Sequence, residues 1–239
     1  MSKTVALLLA GGSGTRMGQD IPKQFLSVND KPVIVYTLET FQSHPEVDEI
    51  AVACLGGWET VLAAYAHQFG ISKLVGIYPG GANGLESTEN VAFELERDHD
   101  ADDVVLVSDG VRPLLPASLI STCIETTRLH GDATPVVPST DTMYVVDGDE
   151  KISHETYPRE SLKRGHSPLG FRLGFLCDML REGRAREDID SEAPGALMMD
   201  LGYSAHLCEG SSLAFKLTTV EDVDMFKALL NTERAPWLK

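Results

Sequence analysis

Positive charge is scarce in this chain. Against 36 Asp and Glu there are only 20 Lys and Arg, a formal net charge of −16. A nucleic-acid binder wants a basic face, so that class is set aside. The same imbalance is a problem for an enzyme of phosphorylated substrates. The field of the whole protein repels them, so the site has to concentrate its few cations and a metal ion. Cysteine is sparse too. Cys54, Cys123, Cys177 and Cys208 are widely spaced, with neither zinc-pair spacing nor a disulfide framework. They read as buried free thiols in a reducing cytoplasm. No apolar run approaches the roughly 20 residues of a membrane span. Met1-Ser2-Lys3 runs straight into a strand pattern, without the layout of a signal peptide. The expectation is a cytoplasmic protein with no membrane and no nucleic-acid partner. Internal repeats, linkers and low-complexity tracts are lacking as well.

What is present is an ordinary globular composition, 43% hydrophobic over 239 residues, which suits one large α/β domain. The chain is organised around its beginning. Thr4-Val5-Ala6-Leu7-Leu8-Leu9 is apolar without alternation, the pattern of a strand covered on both faces. It stops at Ala10-Gly11-Gly12-Ser13-Gly14. Glycines so close together let backbone approach a ligand, and successive N–H groups in such a loop form an anion-binding concavity. Arg16 follows at once and Lys23 sits seven residues later. A phosphate chain on the loop would meet N–H donors, a guanidinium fork and an ammonium.

The glycines alone leave a tight strand-to-loop turn and a phosphate site equally open. They are not a P-loop, which ends Gly-Lys-Ser/Thr. They are not the dinucleotide fingerprint either, because Met17 stands where its third glycine belongs. A nicotinamide-dependent reductase is disfavoured on that ground. The end of strand two, Cys54-Leu55-Gly56-Gly57, also lacks its acidic residue.

Further on, apolar spacing predicts helices over 32–41, 58–69, 117–130 and 173–184, with another near 196–199. Strands are predicted over 49–54, 74–78, 103–108 and 134–137. Alternation at this interval predicts an α/β fold: an open, mostly parallel, doubly wound Rossmann-like sheet with right-handed crossovers. Ligands bind such sheets outside the carboxyl ends of the strands, where Gly11 to Gly14, Gly80-Gly81 and Asp109 all fall. Ser87 caps the helix running to Glu96 in the plain reading. Asp109 either caps a turn, with Arg112 as its ion-pair partner, or holds a hard cation. Tyr144-Val145-Val146 and Lys151-Ile152-Ser153, around the Asp147 to Glu150 turn, predict a hairpin standing off the sheet.

Taken whole, Ala10-Gly11-Gly12-x-Gly14-x-Arg16-Met17-Gly18, then Pro22-Lys23-Gln24-Phe25-Leu26, resembles the signature of nucleotidyltransferases that activate sugar and polyol phosphates. Within them it resembles the cytidylyltransferases of methylerythritol phosphate and ribitol phosphate. The likeness extends over almost the whole chain, through Gly80-Gly81…Ser87, Asp109-x-x-Arg112-Pro113, Asp141-Thr142, Glu192-Ala193 and Lys216-x-Thr218. It implies one nucleotidyltransferase domain over 1–239, with an arm at about 139–165 that grips a second subunit in a homodimer.

The implied reaction is CTP plus a polyol phosphate giving a CDP-polyol and pyrophosphate. Ribitol 5-phosphate is favoured by Phe25, Val111 and the long arm; methylerythritol 4-phosphate, the isoprenoid precursor, is the alternative acceptor. The implied catalytic cations are Arg16, Lys23 and Lys216. Ala10, Gly11, Gly12, Gly14, Gly80, Gly81, Ala82 and Ser87 would bind the nucleotide. Asp109 would hold Mg²⁺. Thr142 and Arg159, the latter from the neighbouring subunit, would hold the acceptor phosphate. The sequence departs from the pattern at Gly84, Ser108, Leu169 and Ala214, where the family has Arg, His, Gln and Asn. Those departures motivate a competing reading, a non-catalytic nucleotide-binding relative.

Overall fold

The computed structural model describes residues 2–12, 21–146 and 151–232. In chain order its elements begin with β1 (Thr4–Ala10), a short hairpin of β2 (Ser27–Val28) and β3 (Lys31–Pro32), and α1 (Val33–Ser43). Next come β4 (Glu49–Cys54), α2 (Glu59–Gln68), β5 (Leu74–Pro79), α3 (Gly84–Leu95), β6 (Val104–Asp109), α4 (Ala117–His130) and β7 (Asp132–Pro138). The second half holds β8 (Tyr144–Val145), β9 (Glu155–Thr156), β10 (Lys163–Gly165), β11 (Leu169–Arg172), α5 (Leu173–Arg184), α6 (Pro194–Asp200), β12 (Leu207–Glu209) and α7 (Val220–Leu230).

The main sheet runs β10-β7-β11-β6-β1-β4-β5, with β12 added on β7. Strand β1 lies between β4 and β6 and is parallel to both. Its side chains alternate between two cores, which is why the run is apolar at every position. Ala6, Leu8 and Ala10 face Ile34 and Leu38 of α1 and Ile120 of α4. Val5 and Leu7 face Val91 of α3 and Leu176 of α5. Helices therefore cover both faces, as a doubly wound sheet requires. The order of connections reverses at β1, and the carboxyl ends of β1, β5 and β6 open onto one crevice.

The expectation of a mostly parallel sheet is met, with additions. Strand β11 runs antiparallel between β6 and β7, and β10 antiparallel to β7. Neither they nor β12 were expected. Gly170 lets β11 lie against α4: a Cβ there would fall 2.0 Å from Thr127 Oγ1 and 3.1 Å from Cys123 Sγ. The hairpin is present, but its return strand is Glu155–Thr156 rather than 151–153, pairing Tyr144 with Thr156. Its turn, 147–150, lies outside the described residues. Lys216 stands in a loop, since β12 ends at Glu209. Among the described residues no helix is long and apolar enough to cross a membrane.

Candidate active site

At the end of β1 the chain turns under the side chain of Gln24, which is 1% exposed. Its amide donates to Ala10 O at 2.8 Å and to Gly12 O at 2.9 Å, holding the first bend of the glycine loop. Gln24 is the middle of a 3₁₀ turn, Lys23–Phe25. Phe25 is buried and stacks on Trp58 with centroids 4.5 Å apart. Buried anchors on one side of Lys23 thus fix a lysine that lines the crevice.

The second glycine pair comes from the end of β5. Gly80 N donates to Cys54 O at 2.7 Å. A Cβ on Gly80 would lie 2.9 Å from the Gly11 Cα, so the two loops touch backbone to backbone. Helix α3 then starts, and its cap differs from the expected one. Asn83 is the N-cap, its side chain accepting from Glu86 N. Ser87 sits inside the helix: its hydroxyl donates to Asn83 O at 2.8 Å and accepts from Gly81 N at 2.9 Å. Ala82 N donates to Glu86 Oε2 at 2.7 Å. Asparagine and serine are equally good caps. Here asparagine four residues earlier takes the role and leaves serine to pin the glycine loop.

Strand β6 delivers Asp109. Oδ2 accepts from Arg112 Nε at 2.8 Å and Oδ1 from Lys216 Nζ at 2.6 Å. Arg112 also donates through Nη1 to Ala214 O, and Leu217 N donates to Val111 O at 2.9 Å. One guanidinium therefore clips the 211–218 loop onto the end of β6 and brings Lys216 over the carboxylate. Burial pushes the Asp109 carboxyl up, but Arg112 and Lys216 outweigh it and hold the group below the usual carboxylate range. Asp109 is ionised at neutral pH.

These pieces face one cavity of about 630 Å³. From the expected set it gathers Ala10, Gly11, Gly12, Lys23, Asp109 and Lys216. Gly81, Ala82 and Ser87 line it as well. Gly80 lies just behind, against Gly11. Gly14 and Arg16 lie outside the described residues. Thr142 and Arg159 do not line the cavity; the Arg159 guanidinium is exposed and donates to Thr140 O at 3.3 Å. The roles of Gln24, Asn83 and Ser167, whose Oγ stands 3.5 Å from Asp109 Oδ2, went unassigned in the sequence. Gln24 carried a signal there as part of the Pro-Lys-Gln string, and Ser167 as the first residue of Ser167-Pro168-Leu169, which stands where the family has Thr-Pro-Gln.

Residues 4–232 match the family described as "IspD: 2-C-methyl-D-erythritol 4-phosphate cytidylyltransferase". The chain belongs to this family. It is an enzyme of the cytidylyltransferase type. Its relatives include a ribitol-5-phosphate cytidylyltransferase of Vibrio parahaemolyticus, 38% identical over 96% of each chain. Another is the ribitol-5-phosphate cytidylyltransferase of Lacticaseibacillus paracasei, 35% identical over 94% of this chain and 97% of that one. Among solved structures, the 2-C-methyl-D-erythritol 4-phosphate cytidylyltransferase of Francisella tularensis superposes with a TM-score of 0.78 at 26% identity. That match covers 95% of this cytidylyltransferase and 99% of the other chain.

Proposed function

We propose that this cytidylyltransferase moves CMP from CTP to a polyol phosphate, with ribitol 5-phosphate as the preferred acceptor, and releases pyrophosphate. The observation that carries the reading is the meeting of Lys23, the Asp109 clamp and two glycine loops in one cavity of an acidic protein. The named relatives above support the choice of acceptor. The attacking phosphate oxygen is already anionic near neutral pH, its second pKa being about 6. No general base is needed. The work is to hold two polyanions in line and to stabilise charge growing at the α-phosphate. Lys23 and Arg16 take the triphosphate, and Lys216 meets the same charge from the far side. Gly11, Gly12 and Gly14 offer backbone to the phosphates, while Gly80, Gly81, Ala82 and Ser87 border the base. Arg112 holds the Lys216 loop in place.

Asp109 is the residue that would hold Mg²⁺. Its donor set fits, because it is an ionised carboxylate on the cavity wall and Oδ1, which accepts only from Lys216 among the described residues, keeps a second lone pair. Among the described residues no three His, Cys, Asp or Glu side chains gather into a metal cage. An ion there would draw its remaining ligands from phosphate and water, the usual habit of Mg²⁺. Bound, it would supply neutralisation of phosphate charge.

The hairpin is read as a dimerisation arm. Tyr144 and Tyr157 expose 65% and 53% of their surface on a two-stranded unit that has no core of its own. A second subunit is the partner that covers it, and in that homodimer Arg159 and Thr142 would reach the neighbour's acceptor phosphate.

A panel of nucleoside triphosphates against ribitol 5-phosphate and methylerythritol 4-phosphate, read by pyrophosphate release, tests the reading. The expected signal is CTP with ribitol 5-phosphate. Turnover with methylerythritol 4-phosphate alone would move the enzyme to that acceptor. CTP binding without turnover on any polyol phosphate would favour the non-catalytic relative that Gly84, Ser108, Leu169 and Ala214 motivate.

A further inference from the structure

Gln24 is a buried polar side chain with no task in the mechanism above. The turn that carries it starts at Pro22, whose ring fixes φ at −57°, and Phe25 N donates to Pro22 O at 2.8 Å. Consecutive side chains of this one turn serve the same site: Lys23 lines the cavity, and Gln24 reaches the backbone of the glycine loop. An amide nitrogen carries two hydrogens and can serve two acceptors at once. Gln24 Nε2 does so, with Ala10 O at 2.8 Å and Gly12 O at 2.9 Å. Both partners are carbonyls, which settles which end of the amide is nitrogen. Ala10 O also accepts from Leu55 N at 3.1 Å, so both of its lone pairs are taken. Gly11, between the two held carbonyls, packs on the second glycine loop. A Cβ there would lie 3.2 Å from Gly80 Cα and 3.4 Å from Ser87 Oγ. The bend therefore cannot shift without disturbing the Gly80 loop as well. The C=O and N–H of a trans peptide point opposite ways. With Ala10 O turned onto Gln24, the N–H of Gly11 points away from the glutamine.

We propose that Gln24 is a positioning residue for the nucleoside triphosphate: by holding the Ala10 and Gly12 carbonyls it keeps them off the phosphates and leaves the Gly11 N–H free to donate. A carbonyl turned loose beside a triphosphate repels it. In a chain at −16 that repulsion adds to a field already unfavourable to the ligand. The glutamine acts through the loop and touches neither substrate. It also fixes the loop relative to Lys23, because the two residues are adjacent in one turn. Ammonium and backbone donors then meet the phosphates in a set arrangement, before the nucleotide arrives. A shorter amide would not reach both carbonyls, and a charged donor in its place would be buried at a cost. This inference rests on the transferase reading above and adds one residue to the nucleotide half of the site; the acceptor half is indifferent to it.

The test is Gln24→Met, which keeps the length of the side chain and removes both donors. The CTP KM is expected to rise about 10- to 100-fold, the worth of one misdirected hydrogen bond to a charged group. The acceptor KM stays near its wild-type value. Gln24→Glu, of the same shape, is the second variant; it sets an oxygen against two carbonyls and should raise the CTP KM further. A purely structural role would lower the urea midpoint and leave the CTP KM of the folded enzyme unchanged, and that result in either variant overturns the proposal. So does an equal rise in both KM values. If the wild-type enzyme turns over no polyol phosphate, the transferase reading itself has failed. Calorimetry with CTP then decides the role of Gln24. Weaker binding in Gln24→Met supports it, and binding equal to wild type overturns it, as does a wild-type protein that binds no CTP.

Discussion

At the scale of single residues, the cations of the first cavity differ in what holds them. Lys216 is tied to Asp109 at 2.6 Å, and Lys23 rides on a turn anchored by Gln24 and Phe25. Both are expected to act on charge that develops in the transition state. Lys23→Ala and Lys216→Ala should each lower kcat/KM by two to three powers of ten, about 3–4 kcal/mol. Steady-state kinetics with an unaltered value in either variant would remove that lysine from the mechanism. Histidine 166 gives a second prediction, on stability. Burial lowers its pKa first, and Arg112 and Arg164 lower it further. The unfolded chain then takes up a proton near pH 6.5 while the folded one resists. The penalty is absent well above that value and grows as pH falls from about 6.5 toward the depressed folded pKa. Urea midpoints should therefore drop between pH 7.5 and 5.5, and His166→Gln should flatten the drop. Asp109 works in a lower window, since its folded pKa is depressed too. Its contribution is full above about pH 4 and is lost only below that.

At the scale of elements, the closest fit is β11 on α4. A methyl group on Gly170 would collide with Thr127 Oγ1 at 2.0 Å. Gly170→Ala should cost roughly 1–3 kcal/mol by overpacking. Adding Thr127→Ala should return much of that loss in a thermal or urea unfolding cycle, because the severest contact, at 2.0 Å, is with the Thr127 hydroxyl, while Cys123 Sγ at 3.1 Å is only tight. The same strand shows where a sequence stops being legible. Helix α4, with proline ahead of it and Gly131 at φ 98° behind, announced both ends, and β4 was continuous apolar sequence between polar flanks. Strand β11 reads Leu-Gly-Phe-Arg, four residues with a glycine, and has no pattern of its own. Only its neighbours β6 and β7 make it a strand. The return strand of the hairpin failed for a related reason: short exposed strands have no buried face to fix their register. In the cavity, motif residues were legible because their chemistry demands particular types. Asn83 was not, since its role as the cap of α3 arises from contacts that fold geometry alone creates.

At the scale of the molecule, net charge and assembly meet. A chain at −16 repels its own substrates, so cations from more than one subunit at each site would be an economical answer. In the proposed homodimer the exposed aromatic residues of the hairpin would supply the surface for a twofold contact, which is self-complementary by symmetry. If Arg159 serves the neighbour's site, its position outside this chain's own cavity follows directly. The consequence can be measured without a structure of the complex. Mix subunits carrying Lys216→Ala with subunits carrying Arg159→Ala, each inactive alone, after unfolding and refolding together. In a mixed dimer the site with intact Lys216 receives the partner's Arg159, also intact, while the other site lacks both. Half the dimers are mixed at random and one of their two sites works, so about a quarter of wild-type activity should return. If Arg159 acts within its own subunit, every site lacks one residue and none returns.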